Sequence, residues 1–258
     1  MPADRGTRRR ILVLGGTGEA NALAARLQTH IPNVDIILSL AGRTRHPVVP
    51  SGDRILLRTG GFGGVEGLSA YLAGEPFAAL VDATHPFAVQ IAANAAAAAA
   101  RTGTRAIKLS RPPWTILPGD RWTMVADEPE AAAALPDGAR PFIALGSQHL
   151  AAFEHRRDLK PVLRMIEPAA VSRPPAAEIV RAGPGRCASD EARLFRERTI
   201  THLVCRNAGG PASYPKIEAA RTLGLEVVMI ERPATAGPIR VVPDVEAAMA
   251  WISRCMIA

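Results

Sequence analysis

The sequence predicts an α/β protein of two Rossmann-like parallel-sheet lobes with a cleft between them. Short β-branched or leucine-rich runs alternate with longer amphipathic or alanine-rich runs, which is typical of a parallel sheet with crossover helices. The 258 residues are 48% hydrophobic and 21% charged, enough to bury a large core. A proline- and glycine-rich segment from Arg111 to Trp122 cannot form a regular element and separates two halves of similar size.

The first half contains the clearer alternation. Strands are predicted at Ile11–Leu14, Asp35–Leu40, Arg54–Arg58, Ala78–Asp82 and Arg105–Leu109, and helices at Gly18–Gln28, Gly64–Leu72 and Phe87–Arg101. The alanine run Ala95–Ala100 is interpreted as a packed helix, because alanine has the highest helix propensity and permits close packing on a sheet.

The second half repeats the pattern. Strands are predicted at Pro141–Leu145, Val162–Ile166, His202–Cys205 and Glu226–Ile230, and helices beginning near Ser147, Ala176, Asp190, Ser213 and Val245. We therefore predict a first domain of residues 1–112 and a second of residues 113–258, with the boundary between residues 111 and 140. The predicted cleft is the default ligand site, since ligands of open α/β sheets bind at the carboxyl ends of the strands.

Composition narrows the function class. No apolar run reaches the roughly 20 residues that span a bilayer, and the basic opening precedes only a short apolar run, so we expect neither a membrane span nor a signal peptide. Cys187, Cys205 and Cys255 have no metal-ligand spacing, so we expect free thiols in the cytoplasm and no metal site. The net charge of +7 fits nucleic acid, an anionic membrane or an acidic small molecule. Aromatic residues are scarce and the arginines scattered, which argues against nucleic acid; a GC-rich coding bias is the alternative for any single arginine.

The strongest local signal is the segment Leu12–Ala20, where glycines fall between a predicted strand and helix. Gly15, Gly16 and Gly18 permit a tight turn, and the helix N-terminus that follows offers N–H groups to a phosphate. The spacing departs from G-x-G-x-x-G, because Thr17 and Ala20 take the second and third positions when Gly15 is the first. A glycine turn that serves only packing remains the alternative.

The end of the second strand predicts the cofactor. An Asp or Glu there accepts from the ribose hydroxyls of NADH, whereas this strand ends Ser39-Leu40-Ala41-Gly42-Arg43-Thr44. Small and hydroxyl side chains followed by a guanidinium accommodate a 2′-phosphate, so NADPH is favoured. The alternative for Arg43 is a solvated loop arginine.

The next two strand ends lie on the same predicted edge. The run Thr59–Gly64, with Gly60 and Gly61, is placed where a Rossmann sheet touches adenine, or else is a mobile loop. Asp82–Phe87 follows the fourth strand, where the chain passes the nicotinamide, which places His85 near the hydride chemistry. A helix-start histidine bonded to backbone is the alternative for His85.

In the second half, two polar segments follow the same strand-loop-helix logic. Arg206–Gly210 follows a strand, and Ser213–Lys216 opens a helix, so both lie on the edge facing the predicted cleft. Lys216 is one of three lysines in an arginine-rich chain, which indicates a role for an ammonium there; a helix-surface lysine is the alternative.

Together these motifs resemble the precorrin-6A reductase family of cobalamin biosynthesis. The resemblance covers nearly the whole chain; its specific pieces are Asp82–Ala88 (DATHPFA) and the late block from Arg206 to Pro233, while the glycine turn and Ser39–Thr44 fit it too. There is no Tyr-x-x-x-Lys pair of the short-chain dehydrogenases, because Tyr71 and Tyr214 precede Glu75 and Glu218.

The resemblance implies NADPH-dependent reduction of one double bond of precorrin-6A to give precorrin-6B, with other enzymes of that pathway as protein partners. It places the cofactor on Gly15, Thr17, Gly18, Ser39, Arg43 and Thr44, with Thr84 and His85 close to the nicotinamide. Further cofactor-binding candidates in the same segments are Gly16, Glu19, Gly42, Gly60 and Gly61. A precorrin carries many carboxylates, which a basic protein would attract. Residues expected to bind this substrate are Arg111, Arg206, Asn207, Ser213, Tyr214, Lys216 and Arg232, with His85 and Lys216 as the catalytic candidates.

Two other functions remain open at this stage. One is an NADPH-dependent oxidoreductase or epimerase acting on another anionic metabolite. The other is a sensor module that binds the dinucleotide without chemistry. If the conjugated imine of the macrocycle is already electrophilic, positioning supplies most of the rate and no side chain need act as the acid.

Overall fold

The computed structural model describes residues 8–42, 47–165, 174, 176–235, 237 and 239–257. Within them the strands are β1 (Arg9–Leu14), β2 (Val34–Leu40), β3 (Ile55–Thr59), β4 (Phe77–Asp82), β5 (Ala106–Leu109), β6 (Trp122–Val125), β7 (Pro141–Ile143), β8 (Val162–Met165), β9 (Glu178–Arg181), β10 (His202–Arg206), β11 (Glu226–Ile230) and β12 (Arg240–Val242). The helices are α1 (Gly18–His30), α2 (Gly64–Ala73), α3 (Val89–Thr102), α4 (Glu128–Ala133), α5 (Ala188–Glu197), α6 (Pro215–Leu223) and α7 (Val245–Ile257).

The strands form two separate six-stranded sheets, and every pairing is parallel. The first sheet has the order β3-β2-β1-β4-β5-β12, and the second has the order β9-β8-β7-β10-β11-β6. The first order is that of a Rossmann sheet, and the second matches it in five strands and differs in the sixth, β6. The point at which the strand order reverses lies between β1 and β4 in the first sheet and between β7 and β10 in the second. The predicted α/β class with two Rossmann-like parallel-sheet lobes is confirmed.

The first sheet is buried on both faces. Ile11 and Val13 point into a cluster with Leu23 of α1 and Ile252 of α7. Leu12 and Leu14 point the other way, into a cluster with α2 and α3 that includes the alanines of α3. Alternate residues of one strand thus fill two helix layers, which explains why β1 has no polar face in the sequence. The predicted alanine-rich helix is present and is packed.

The chain crosses between the two units twice. One unit comprises the described residues up to Arg111 together with those from Ala234 onward, and the other comprises Pro112–Pro233. The sequence placed residues 113–258 together in the second lobe, whereas β12 and α7 belong to the first, because β12 pairs with β5. The sixth strand of the second sheet, β6, comes instead from the start of its own unit.

Two predicted helices are wrong. The helix expected near Ser147 consists of two short 3₁₀ turns, Ser147–His149 and Ala151–Phe153, after Gly146 at φ 80°. The helix expected near Ala176 is replaced by β9, whose four residues pair with β8. Ile179 and Val180 favour a strand, and the glycine and proline that follow at 183 and 184 stop any helix. β6, β9, β12 and α4 were not predicted.

Candidate functional site

The turn between β1 and α1 contains three glycines, and the structure gives a different reason for each. A Cβ on Gly15 would lie 2.9 Å from Leu38 Cδ1, so this glycine serves packing against β2. Gly16 has φ 106°, a conformation that L side chains rarely adopt. A Cβ on Gly18 meets nothing within 4 Å, and Gly18 is the first residue of α1. Gly18 therefore lies in open space at a helix N-terminus, the position at which a phosphate is bound.

Thr17 ties this turn to the end of β4. Its hydroxyl donates to the Ala83 carbonyl at 2.7 Å and accepts from the Ala20 amide at 3.1 Å as the helix N-cap. The side chain that the sequence assigned to the cofactor is therefore engaged within the protein. It fixes the glycine turn beside the loop that carries Thr84 and His85.

A buried ion pair lies at the ends of β4 and β5. Lys108 Nζ is 2.8 Å from Asp82 Oδ2, and the two side chains are 5% and 1% exposed. Asp82 Oδ1 accepts from the Thr84 hydroxyl at 2.6 Å and from the Thr84 amide at 3.0 Å, and Lys108 also donates to Thr84 Oγ1 at 3.2 Å. The carboxylate and ammonium thus set the backbone of the residues that precede His85.

The His85 ring is half-buried and oriented by its own loop. The Phe87 amide donates to His85 Nδ1 at 3.3 Å, and the Phe87 ring lies 5.8 Å from the imidazole. This is the geometry of a histidine bonded to backbone, the alternative that the sequence left open. With Nδ1 as acceptor, the proton of a neutral ring resides on Nε2, which is then a hydrogen-bond donor.

The ends of β2 and β3 meet through Arg58, which the sequence analysis did not single out. Its guanidinium donates to Ser39 Oγ at 3.3 Å, to the Gly60 carbonyl at 2.7 Å and to the Gly61 carbonyl at 2.8 Å. Ser39 is 5% exposed, and Gly42, at φ 77°, packs against Thr59. Arg43 and Thr44 lie outside the described residues.

Arg111, assigned from the sequence to the substrate, pairs with Glu19, assigned to the cofactor. Arg111 Nη1 is 2.8 Å from Glu19 Oε2, with side-chain exposures of 18% and 26%. Because Glu19 lies in the first turn of α1, this pair lies beside the glycine turn. Part of the positive charge of Arg111 is thereby neutralised.

In the second unit, the predicted residues gather around Trp114. Asn207 accepts from the Trp114 amide at 2.7 Å and donates to its carbonyl at 3.0 Å, and Trp114 Nε1 donates to Gly210 O at 2.8 Å. Gly209 has φ 68°, and a Cβ there would lie 2.0 Å from the Pro112 carbonyl, so only glycine fits. The Asn207 amide pins a loop to the end of β10.

Lys216 is buried, not a solvated helix lysine. Its ammonium is 4.7 Å from the centroid of the Trp114 ring and donates to the Ser213 carbonyl at 2.7 Å, and the residue is 7% exposed. The Tyr214 hydroxyl accepts from Arg221 at 2.8 Å. Lys216 and the Tyr214 ring, whose centroid is 5.8 Å from that of Trp114, thus both lie against Trp114.

Arg206 and Arg232 also have partners within the second unit. Arg206 Nη2 is 2.6 Å from Glu128 Oε1, which also contacts His149 Nδ1 at 3.1 Å. Burial by itself raises the pKa of Glu128, but the Arg206 hydrogen bond and the charges of Arg206 and His149 outweigh it, so that pKa lies below its ordinary value. Arg232 Nη2 donates to the Ala208 carbonyl at 2.9 Å.

Comparison with known proteins identifies the family. The model of the family described as precorrin-6x reductase CbiJ/CobK matches residues 10–253. Precorrin-6A reductase of Rhodococcus erythropolis is 46% identical over 94% of this chain and 97% of its own, and that of Rhodobacter capsulatus is 44% identical over 95% and 96%. A solved structure titled CobK precorrin-6A reductase superposes with a TM-score of 0.87, at 42% identity, over 96% of this chain and 97% of its own. The chain belongs to the precorrin-6x reductase family. It is an oxidoreductase of cobalamin biosynthesis, and a reductase of this kind implies a nicotinamide cofactor.

Other site types find no support in the described part of the chain. No helix there is long and apolar enough to cross a membrane. Nor do three or more His, Cys, Asp or Glu side chains gather there as a metal site. The cysteines are free thiols, of which Cys187 is exposed and the other two buried.

Several residues that act across strands of this reductase were not predicted from the sequence. Lys108 is the one charged side chain in the apolar strand β5, and its register partner is Asp82 at the end of β4. A charge in an otherwise apolar strand was the available signal. Arg58 carried a weaker one, since it immediately precedes the glycine run after β3. Nothing local to the sequence marked Trp114, Glu128 or His149.

Proposed function

We propose that this chain reduces precorrin-6A to precorrin-6B with NADPH. Saturating one double bond of the macrocycle takes a hydride and a proton, and the cofactor leaves as NADP⁺. The observation that carries the proposal is the turn after β1, where Gly16 adopts a left-handed conformation and Gly18 faces open space at the N-terminus of α1. When bound there, NADPH supplies the hydride; Gly15 to Gly18 would hold its pyrophosphate.

The difference between the two sheets supports placing the cofactor on the first unit. Both share the first five strands of the Rossmann order, but β1 is followed by a glycine turn and the 13-residue helix α1. The equivalent strand of the second sheet, β7, is followed by two three-residue 3₁₀ turns. Such short turns do not offer the aligned N–H groups of an α-helix.

The end of β2 supports NADPH over NADH. Its last two residues are Ser39 and Leu40, and no Asp or Glu lies among the described residues that follow, up to Gly42. A ribose 2′-hydroxyl would thus lack its usual carboxylate acceptor, whereas a 2′-phosphate would meet a small hydroxyl side chain. We expect wild-type protein to bind NADPH more tightly than NADH.

His85 is our candidate for the residue beside the nicotinamide. It follows β4, the strand whose end passes the reacting ring in Rossmann enzymes. The bond from the Phe87 amide leaves a neutral imidazole with its proton on Nε2. His85 is thereby able to donate a hydrogen bond from Nε2 to a substrate nitrogen, while solvent supplies the proton that the reduction takes. The bonds from Thr84 to Asp82 hold the backbone before His85.

For the substrate, we propose the cations of the second unit, while Arg111 stays a separate sequence-based prediction. Lys216, Arg206 and Arg232 would orient the precorrin carboxylates, with Asn207, Ser213 and Tyr214 framing them. Because the cofactor lies on the other unit, Lys216→Ala should raise KM for the tetrapyrrole and leave NADPH affinity unchanged. A fall in kcat alone would make Lys216 a group that acts in the transition state.

Two absorbance signals test the function. Protein mixed with NADPH and precorrin-6A should consume the reduced nicotinamide in step with a change in the macrocycle spectrum, with a stoichiometry of one to one. A dinucleotide sensor would bind NADPH and leave both spectra unchanged. Oxidation of NADPH by other anionic metabolites, with precorrin-6A inert, would replace the substrate but keep the enzyme class.

A further inference from the structure

Arg58 occupies the junction of β2 and β3. Besides its bonds to Ser39 and the carbonyls of Gly60 and Gly61, its guanidinium carbon lies 3.6 Å from the centroid of the Phe62 ring and 5.4 Å from that of Tyr71. Stacking and hydrogen bonds together restrict the side chain to one place. The guanidinium is preorganised at the carboxyl edge of the sheet.

The charge of Arg58 has no acidic partner. No Asp or Glu among the described residues forms an ion pair with it, in contrast to Arg111 with Glu19 and Arg101 with Glu66. Its bonds to Ser39, Gly60 and Gly61 involve Nη1 and Nη2, and Nε makes no hydrogen bond within the described part of the chain. A half-buried guanidinium whose hydrogen-bond acceptors are all neutral is suited to binding an anion.

The location identifies the anion. In a Rossmann sheet, the adenosine ribose lies over the end of the second strand, next to the glycine turn. The Gly15 amide donates to the carbonyl of Ser39 at 2.8 Å, so the turn and the end of β2 are in direct contact. Arg58 reaches the Ser39 side chain from the adjacent strand, although a cation for the 2′-phosphate is normally sought on the second strand itself.

We propose that Arg58, with Ser39, recognises the 2′-phosphate of NADPH and so determines the cofactor specificity. This inference rests on the proposed function. Arg58 binds the phosphate through its N–H groups, while Phe62 and the two glycine carbonyls hold it in place. Arg43 stays a separate sequence-based prediction for the same group.

Arg58 could instead serve only to hold the loop of Gly60 and Gly61. Pairs of ligands that differ in the 2′-phosphate distinguish this role from phosphate recognition. Kd is measured by calorimetry for NADPH, NADH, 2′-AMP and 5′-AMP with wild type, Arg58→Gln and Arg58→Lys. Arg58→Gln should weaken the binding of NADPH and of 2′-AMP by about 10- to 100-fold, as expected for the loss of a charge-assisted hydrogen bond. The binding of NADH and of 5′-AMP should weaken far less. Arg58→Lys should retain part of the preference, because it keeps the charge but not the planar fork. Arg101→Gln, at an exposed position of α3 in the same unit, is the matched control.

Equal loss for both members of each pair would overturn the inference and leave the proposed function intact. A wild type that prefers NADH would instead overturn the proposed cofactor, whatever the variants do. Should a variant not fold, phenylglyoxal labelling of the wild type decides. Labelling of Arg58, mapped by mass spectrometry, should be slowed by 2′-AMP but not by 5′-AMP, and equal labelling with both would contradict the assignment.

Discussion

At the scale of single residues, the three glycines of the turn after β1 meet three different requirements: packing, backbone conformation and space for a ligand. Gly15 packs against β2, Gly16 needs a left-handed backbone, and Gly18 needs neither. A side chain at Gly18 should therefore change the stability of the protein little but block the binding of a pyrophosphate. The same residue type therefore serves three different purposes in one turn.

We expect Gly18→Val to leave unfolding by urea nearly unchanged and to weaken NADPH binding by at least an order of magnitude. Helix propensity favours valine slightly over glycine, and a Cβ at this position meets no atom within 4 Å. Gly183→Val, at a loop glycine of the other unit with equally open surroundings, is the control. Normal NADPH affinity in a folded Gly18→Val protein would rule out this turn as the phosphate site.

At the scale of elements, one buried ion pair joins β4 to β5 beneath the loop of His85. Asp82 and Lys108 are register partners, so the pair is a consequence of strand order. Lys108→Met should destabilise the fold by about 3–5 kcal/mol, because it leaves a buried carboxylate without its cation. Adding Asp82→Asn should restore part of this loss, since the amide oxygen still accepts from Thr84. Urea unfolding measures both, and an unrescued double variant would show that packing, not charge, dominates.

A second link between elements connects the start of α4 to the end of β10. The Glu128 carboxylate, held by Arg206 and His149, has a pKa below its ordinary value of 4.5. A carboxyl that binds its proton less tightly when folded stabilises the fold fully above the unfolded pKa. That contribution disappears as the pH falls through the lower, folded pKa.

We therefore expect the stability that Glu128 contributes, measured as the difference between wild type and Glu128→Gln, to shrink as the pH falls below about 4.5. Denaturant unfolding at a series of pH values measures it. Glu154→Gln, in the same unit and without an ion pair among the described residues, is the control. A difference that grows on acidification would mean that Glu128 is protonated more readily in the folded chain.

At the scale of the molecule, the sequence predicted the strands inside the two sheets and missed three of the four edge strands. β1, β2, β10 and β11 lie inside their sheets, and each contains a run of three or four buried apolar residues. β6, β9 and β12 are edge strands of three or four residues with partly exposed side chains, such as Met124 at 38% and Val241 at 47%, so their pattern is weak. The glycine turn was local and predictable, whereas the contacts of Lys108, Arg58 and Asn207 depend on strand order and on neighbouring segments, which no local pattern contains.

The return of the chain to the first sheet yields a prediction about folding. Val242, Ala248 and Ile252 are at most 4% exposed and belong to the core of the first sheet. Each buried aliphatic side chain contributes about 1.5–3 kcal/mol, so losing β12 and α7 removes a large part of a typical domain stability of about 5–15 kcal/mol. A fragment of residues 1–111 should therefore lack a cooperative unfolding transition, although it carries the whole glycine turn.

The same residues joined through a short Gly/Ser linker to residues 234–258 should regain that transition, and residues 112–233 should fold alone because they form one unit. Urea unfolding followed by circular dichroism compares the three fragments. NADPH binding should appear in the joined fragment and be absent from residues 1–111. Equal unfolding midpoints for the first unit with and without its C-terminal segment would show that the first five strands suffice, and that β12 and α7 only cover an already stable sheet.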